Sequence, residues 1–118
     1  MPKKILILED DEPTAELMKF YMQEEGFQVA VFSRGTNFLL KAAEYQPDLI
    51  TLDVLLPDAD GFSIFKNLQQ DERTRNIPVV FVTVREDKEI GLKMGARGYI
   101  MKPFNERELK GTIKSILG

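Results

Sequence analysis

Five short apolar runs punctuate the chain, at residues 5–8, 29–32, 49–52, 79–82 and 99–101, each rich in β-branched or aromatic side chains. Several lack the apolar–polar alternation of a half-exposed strand, which fits strands covered on both faces in a parallel sheet. Between these runs the apolar residues recur at helical spacing. Residues 14–25 place Leu17, Met18, Tyr21 and Met22 on one side and stop at Gly26, a natural residue to follow a helix. Residues 36–45 carry Phe38, Leu39, Ala42 and Ala43 and end before Pro47, while residues 62–70 carry Phe62, Phe65 and Leu68. A short helix over residues 87–94 ends at Gly95. The last, over residues 105–117, opens on Asn105 with Glu108 three positions on, close to a capping box. Strand and helix therefore alternate through residues 1–118, which predicts one α/β domain: a doubly wound, five-stranded parallel sheet with right-handed crossovers. No linker, internal repeat or low-complexity tract interrupts it.

Composition narrows the chemistry. With 118 residues, 43% hydrophobic and 30% charged, the chain has single-domain size and enough apolar side chains for a core. It has no cysteine and no histidine. That excludes a disulfide framework, a thiol nucleophile, a Ser-His-Asp triad and any histidine-ligated metal. Phosphohistidine chemistry would need a second protein. The net charge of −3, without a basic cluster, argues against direct nucleic-acid binding. The apolar run before Glu9 is too short for a signal peptide or a membrane span, so the expected location is the cytoplasm.

In a doubly wound sheet the ligand site lies beyond the carboxyl ends of the strands. Glu9, Asp10, Asp11 and Glu12 follow the first run, Asp53 follows the third, Thr83 ends the fourth, and Lys102-Pro103 follow the fifth. Carboxylates that converge in one cleft repel each other unless a cation neutralises them, and an all-oxygen donor set favours Mg²⁺, with Mn²⁺ as a substitute. Such a pocket suits phosphoryl transfer. Lys102 could neutralise an incoming phosphoryl group and the Thr83 hydroxyl could hydrogen-bond to it. Since this set holds no Ser, Cys or His, the nucleophile would be a carboxylate, and Asp53 stands alone at the end of an apolar strand. Asp11 and Glu12, ahead of Pro13, read instead as acids complementing a helix N-terminus, and Asp58 and Asp60 as turn or cap residues beside Gly61.

Taken in order, Ile-Leu-Glu9-Asp10, Asp53-Val-Leu-Leu-Pro57-Asp-Ala-Asp60-Gly61, Thr83, and Gly95-Ala96-Arg-Gly-Tyr99-Ile-Met-Lys102-Pro103-Phe104 resemble a response-regulator receiver domain of the CheY-like family, over essentially the whole chain. The resemblance implies a flavodoxin-like (βα)5 fold with strand order 2-1-3-4-5. It implies a phosphoacceptor, Asp53, loaded from a phosphohistidine on a sensor histidine kinase or a histidine phosphotransfer protein. Asp10 and Asp53 would ligate Mg²⁺ with the Leu55 backbone carbonyl, and Glu9 would act mainly through water. Lys102 would pair with the phosphoryl oxygens, with a cis peptide before Pro103. Thr83 and Tyr99 would form a switch: Thr83 moves toward the phosphoryl group and Tyr99 turns inward. The changed surface, on the fourth helix, fifth strand and fifth helix, would address a downstream protein or output domain. Docking specificity would lie on the first helix and around Pro103-Phe104. Such a domain supports its own Mg²⁺-dependent phosphorylation and dephosphorylation and is no dedicated enzyme.

Three departures from the family pattern matter. The stretch from Thr83 to Lys102 is about one helical turn short, so the fourth helix should be short or displaced. Arg97-Gly98 stands where winged-helix members carry an acidic pair used in a symmetric dimer. Leu55 offers no polar group to orient an attacking water and Arg85 could shield a phosphoryl group, which together imply slow self-dephosphorylation. Three other readings compete. An FMN carrier would need hydroxyls and N–H donors where this chain has Glu9 to Glu12. A haloacid-dehalogenase-like phosphatase would need a larger cap. A degenerate receiver acting only as an interaction module would have lost an acid, the Thr or the Lys, and all are present.

Overall fold

The computed structural model describes all 118 residues. Each apolar run is a strand: β1 Lys4–Leu8, β2 Gln28–Phe32, β3 Leu49–Leu52, β4 Val79–Thr83 and β5 Gly98–Met101. The helices between them are α1 Glu12–Glu24, α2 Phe38–Tyr45, α3 Gly61–Gln70, α4 Lys88–Met94 and α5 Glu106–Leu117. All pairings are parallel, in the order β2-β1-β3-β4-β5, as expected from the alternation and the resemblance.

The side chains of one strand divide between two cores. Ile5 and Ile7 of β1, with Val80 and Val82 of β4, pack under α1 and α5 against Met18, Met22, Leu109 and Ile113. Leu6 and Leu8, with Ile50, Leu52 and Phe81, face α2 and α3 through Phe38, Ala42, Ile64, Phe65 and Leu68. Both faces of the central strands are thus covered, and this is why their sequences run apolar without alternation.

Local chemistry sets most helix ends. Asp11 caps α1 by accepting from the Thr14 backbone N–H at 3.1 Å, and Pro13 sits in the first turn. Asp60 caps α3 through the Phe62 N–H at 2.8 Å. Asn105 accepts from the Glu108 N–H at 2.7 Å, which is one half of the capping box. Helix α4 is only seven residues long, the shortness its spacing predicted.

Three expectations shift. α1 begins at Glu12, not at residue 14. α2 begins at Phe38, not at residue 36. Asn37 adopts a left-handed φ of 60°, and the Thr36 N–H and hydroxyl both donate to Asp58, far along the chain. Asp58 also accepts from the Gly35 N–H at 2.9 Å, so it ties the β2–α2 loop to the β3–α3 loop rather than closing its own turn.

Candidate functional site

The chain leaves β1 toward β2 on one side of the sheet and leaves β3 toward β4 on the other, so the loops after β1 and β3 part and open a crevice at their carboxyl ends. Glu9, immediately after β1, and Asp53, immediately after β3, are buried in it at 2% and 5% exposure, while Asp10 is open to solvent. One carboxylate oxygen from each of the three lies within 4.8 Å of the others. Lys102, the residue after β5, reaches in from the side. Its Nζ stands 2.5 Å from Glu9 Oε1 and 2.8 Å from Asp53 Oδ2. The other Asp53 oxygen accepts from the Leu55 N–H at 3.0 Å.

Gly61 lets this loop close. Its N–H donates to the Val54 carbonyl at 2.8 Å, and a Cβ on it would fall 2.2 Å from the Asp53 carbonyl oxygen and 2.7 Å from Val54 Cα. Only a residue without a side chain permits that approach beside the acid.

The electrostatics follow from the burial. Burial pushes the Glu9 carboxyl above its ordinary 4.5, against the opposing pull of the Lys102 ammonium and the Asp11 N–H. Burial works against the Lys102 charge as well, but the hydrogen bonds to Asp53 and Glu9 outweigh it and hold the ammonium above its ordinary 10.5. One cation is thus shared by two of the three acids. The exposed Asp10 and the remaining carboxylate oxygens are hard donors, and this donor set fits a divalent ion of the Mg²⁺ type.

Thr83 ends β4 fully buried, and its Oγ1 accepts from the Arg85 N–H at 3.2 Å. Tyr99 lies inward on β5 at 7% exposure, with its ring centroid 5.7 Å from that of Phe81. Its hydroxyl donates to the Arg85 carbonyl at 2.6 Å and accepts from the Asp87 N–H at 3.2 Å. Burial raises the phenol above its ordinary 10, with the Asp87 N–H opposing. Arg85 Nε stands 2.5 Å from Asp87 Oδ2, so this side chain is engaged with the start of α4. The Leu55 side chain is exposed, and the Lys102-Pro103 bond is cis. Beside Lys102, a cleft of about 270 Å³ runs between Thr14 and Leu17 of α1 and Val84, Pro103 and Phe104.

Most of the singled-out residues therefore meet at one end of the sheet. Sequence reasoning missed the direct Lys102–Glu9 pair and the Arg85–Asp87–Tyr99 network. The first lacked a signal because the two residues meet only through the sheet order. For the second there was one: Gly91 in the interior of a short helix, where glycine usually marks a close approach.

Known proteins resemble this chain along its length. The response regulator receiver domain family matches residues 5–114. The chain is 39% identical to the transcriptional regulatory protein GltR of Pseudomonas aeruginosa, over 98% of this chain and 49% of that protein. It spans about half the length of the curated relatives it matches. Among solved structures, a putative response regulator from Chloroflexus aurantiacus superposes with a TM-score of 0.92 at 32% identity, covering 99% of this chain and 98% of that one. The receiver domain of the sensor histidine kinase PA1611 from Pseudomonas aeruginosa, solved with magnesium coordinated in its active-site cleft, superposes at 0.89 with 26% identity, over 100% and 99% of the two chains.

Proposed function

Because the chain belongs to the response regulator receiver domain family, we propose that it takes a phosphoryl group from a partner phosphohistidine onto Asp53. The observation that carries this reading is the arrangement of a buried Asp53 beside Glu9, Asp10 and Lys102. Asp10, Asp53 and the Leu55 carbonyl would hold Mg²⁺, with Glu9 acting through water. When bound, the ion offsets the negative charge of phosphate and carboxylates as they approach.

An Asp53 carboxylate oxygen attacks phosphorus as the P–N bond to the partner's imidazole breaks with its electron pair on nitrogen, leaving an aspartyl phosphate and an imidazole whose freed nitrogen takes up a proton from solvent if the ring was not already protonated. Asp53 is poised for this by its Leu55 N–H and Lys102 contacts, which fix the carboxylate's orientation. Lys102 then transfers part of its attraction to the new phosphoryl oxygens. Thr83, at the end of the neighbouring strand, would donate its hydroxyl to the same group. Tyr99 would report the change to the face formed by α4, β5 and α5. The partner would be a sensor histidine kinase or a histidine phosphotransfer protein, placing the domain in the cytoplasm. The output, protein or domain, would be reached through that face.

Intact mass after incubation with Mg²⁺ and acetyl phosphate tests this. A phosphoryl adduct is expected in the wild type and is expected to vanish with EDTA or with Asp53→Asn. An adduct that survives Asp53→Asn would assign the chemistry elsewhere; a folded wild type that never gains one would be a receiver used only as an interaction module. Leu55 offers no polar group to orient an attacking water, so the adduct should outlast seconds.

A further inference from the structure

The loop between β3 and α3 is fixed beside the acid at its near end. There the Leu55 N–H donates to Asp53 Oδ1 at 3.0 Å, and the Gly61 N–H closes on the Val54 carbonyl at 2.8 Å. Leu55 stands opposite Asp60 in an isolated antiparallel bridge. The tip of the loop, three residues beyond Leu55, is held from another part of the chain. Asp58 Oδ1 accepts from the Gly35 N–H at 2.9 Å, while Oδ2 accepts from the Thr36 N–H at 2.9 Å and from the Thr36 hydroxyl at 2.5 Å. These donors precede α2, so the tie joins loop directly to loop. The two backbones also approach closely: a Cβ on Gly35 would fall 2.8 Å from Ala59 Cβ and 2.8 Å from Ile64 Cδ1. The β2–α2 loop is in turn anchored at the crevice, where the Glu9 N–H donates to the Phe32 carbonyl at 3.0 Å. Hydrogen bonds thus run around the rim of the crevice, from Glu9 through Phe32, Gly35, Thr36 and Asp58 to the loop that holds Leu55 and Asp53.

We propose that Asp58 is a positioning residue for the divalent ion: by tying the β3–α3 loop to Gly35 and Thr36, it presets the Leu55 carbonyl and raises the Mg²⁺ affinity of the crevice. This rests on the reading above, in which Asp10, Asp53 and the Leu55 carbonyl hold the ion. A donor already in place needs no ordering when the ion arrives, whereas a loosened loop must be ordered in the same step. Asp58 itself is engaged by three donors and acts only through the loop.

Mg²⁺ is titrated at constant ionic strength into the wild type, Asp58→Ala, Thr36→Val and Gly35→Ala, and the dissociation constant is read from the Asp10 and Asp53 amide resonances. The thermal midpoint of each protein in EDTA records stability separately. Asp58→Ala also removes a charge near the ion. Thr36→Val and Gly35→Ala remove none: the first deletes the hydroxyl donor, and the second pushes the loops apart by overlap with Ala59. Asp58→Ala should bind Mg²⁺ about tenfold more weakly than the wild type, and Thr36→Val and Gly35→Ala about threefold more weakly. Thr36 is exposed, so its variant is expected to fold and decides the matter even if Gly35→Ala does not. Weakened binding in Asp58→Ala with wild-type binding in Thr36→Val overturns the proposal, because charge alone would then be the cause. Lowered midpoints in EDTA with unchanged dissociation constants overturn it too, and leave Asp58 a structural tie. A wild type whose amides ignore Mg²⁺ sinks the metal reading and the proposal with it; a wild type that binds beside variants that bind equally sinks the proposal alone.

Discussion

Glu9 and Asp53 share a single ammonium, and the two acids are not equivalent. Glu9 is the more deeply buried, and its raised carboxyl pKa means that folding favours its protonated form. For a carboxylate shifted upward, the favourable contribution is full below the ordinary 4.5 and is lost as pH rises through the folded value, so at neutral pH the charge on Glu9 opposes folding. Glu9→Gln removes that charge and keeps one of the two acceptor oxygens that Glu9 offers, Oε1 to Lys102 and Oε2 to the Asp11 N–H. In urea unfolding with EDTA, the variant should be more stable than the wild type at neutral pH, and the gain should shrink below pH 4.5. A variant less stable at neutral pH would mean that the attraction of Lys102 outweighs burial.

Among the elements, α2 depends most on a distant partner. Its start is held by Asp58, which accepts from the Thr36 hydroxyl and from the Gly35 and Thr36 N–H groups. The Thr36 hydroxyl, followed by the Gly35 N–H, lowers the Asp58 pKa from 3.8 to about 2. A depressed carboxyl pKa contributes stability above the ordinary value and loses it as pH falls through the folded one. The tie should therefore be intact above pH 3.8 and fail near pH 2. Asp58→Ala should speed amide hydrogen exchange at Gly35 and Thr36 at neutral pH and leave the β1 amides unchanged. Unaltered exchange at Thr36 would show that the loop is held by its backbone instead. On the opposite face, α1 and α5 are joined through Lys110, which lies 3.0 Å from Glu24 and 2.5 Å from Glu106, and these carboxylates raise its pKa well above the ordinary 10.5.

Folding as a unit assembles the acidic crevice, since Glu9, Asp10 and Asp53 belong to two loops that the unfolded chain keeps apart. A divalent cation that binds only the assembled set must stabilise the fold, by about 2.7 kcal/mol at a concentration one hundredfold above its dissociation constant. Millimolar Mg²⁺ should raise the thermal midpoint relative to EDTA, and Asp10→Asn should abolish most of the gain. Removing this exposed acid costs little packing, so loss of the Mg²⁺ response without loss of fold isolates the metal. An equal rise in both proteins would reflect general ionic screening.

The amino-acid order alone determined the element sequence, the parallel sheet covered on both faces, and the identity of the residues at the strand ends. These depend on local periodicity and on strand ends that must share one edge of the sheet, so Asp53, Thr83 and Lys102 could be placed without coordinates. Tertiary structure decided what those ends touch. Lys102 reaches Glu9 as well as Asp53 because β1 and β3 adjoin at the centre of the sheet. The start of α2 moved because its donors found an acceptor in a loop beyond β3. The seat of Tyr99 combines a carbonyl from the β4–α4 loop, a ring from β4 and a bare backbone from α4. Contacts among groups remote in sequence carry no periodic signature, and only the packed chain brings them within bonding distance.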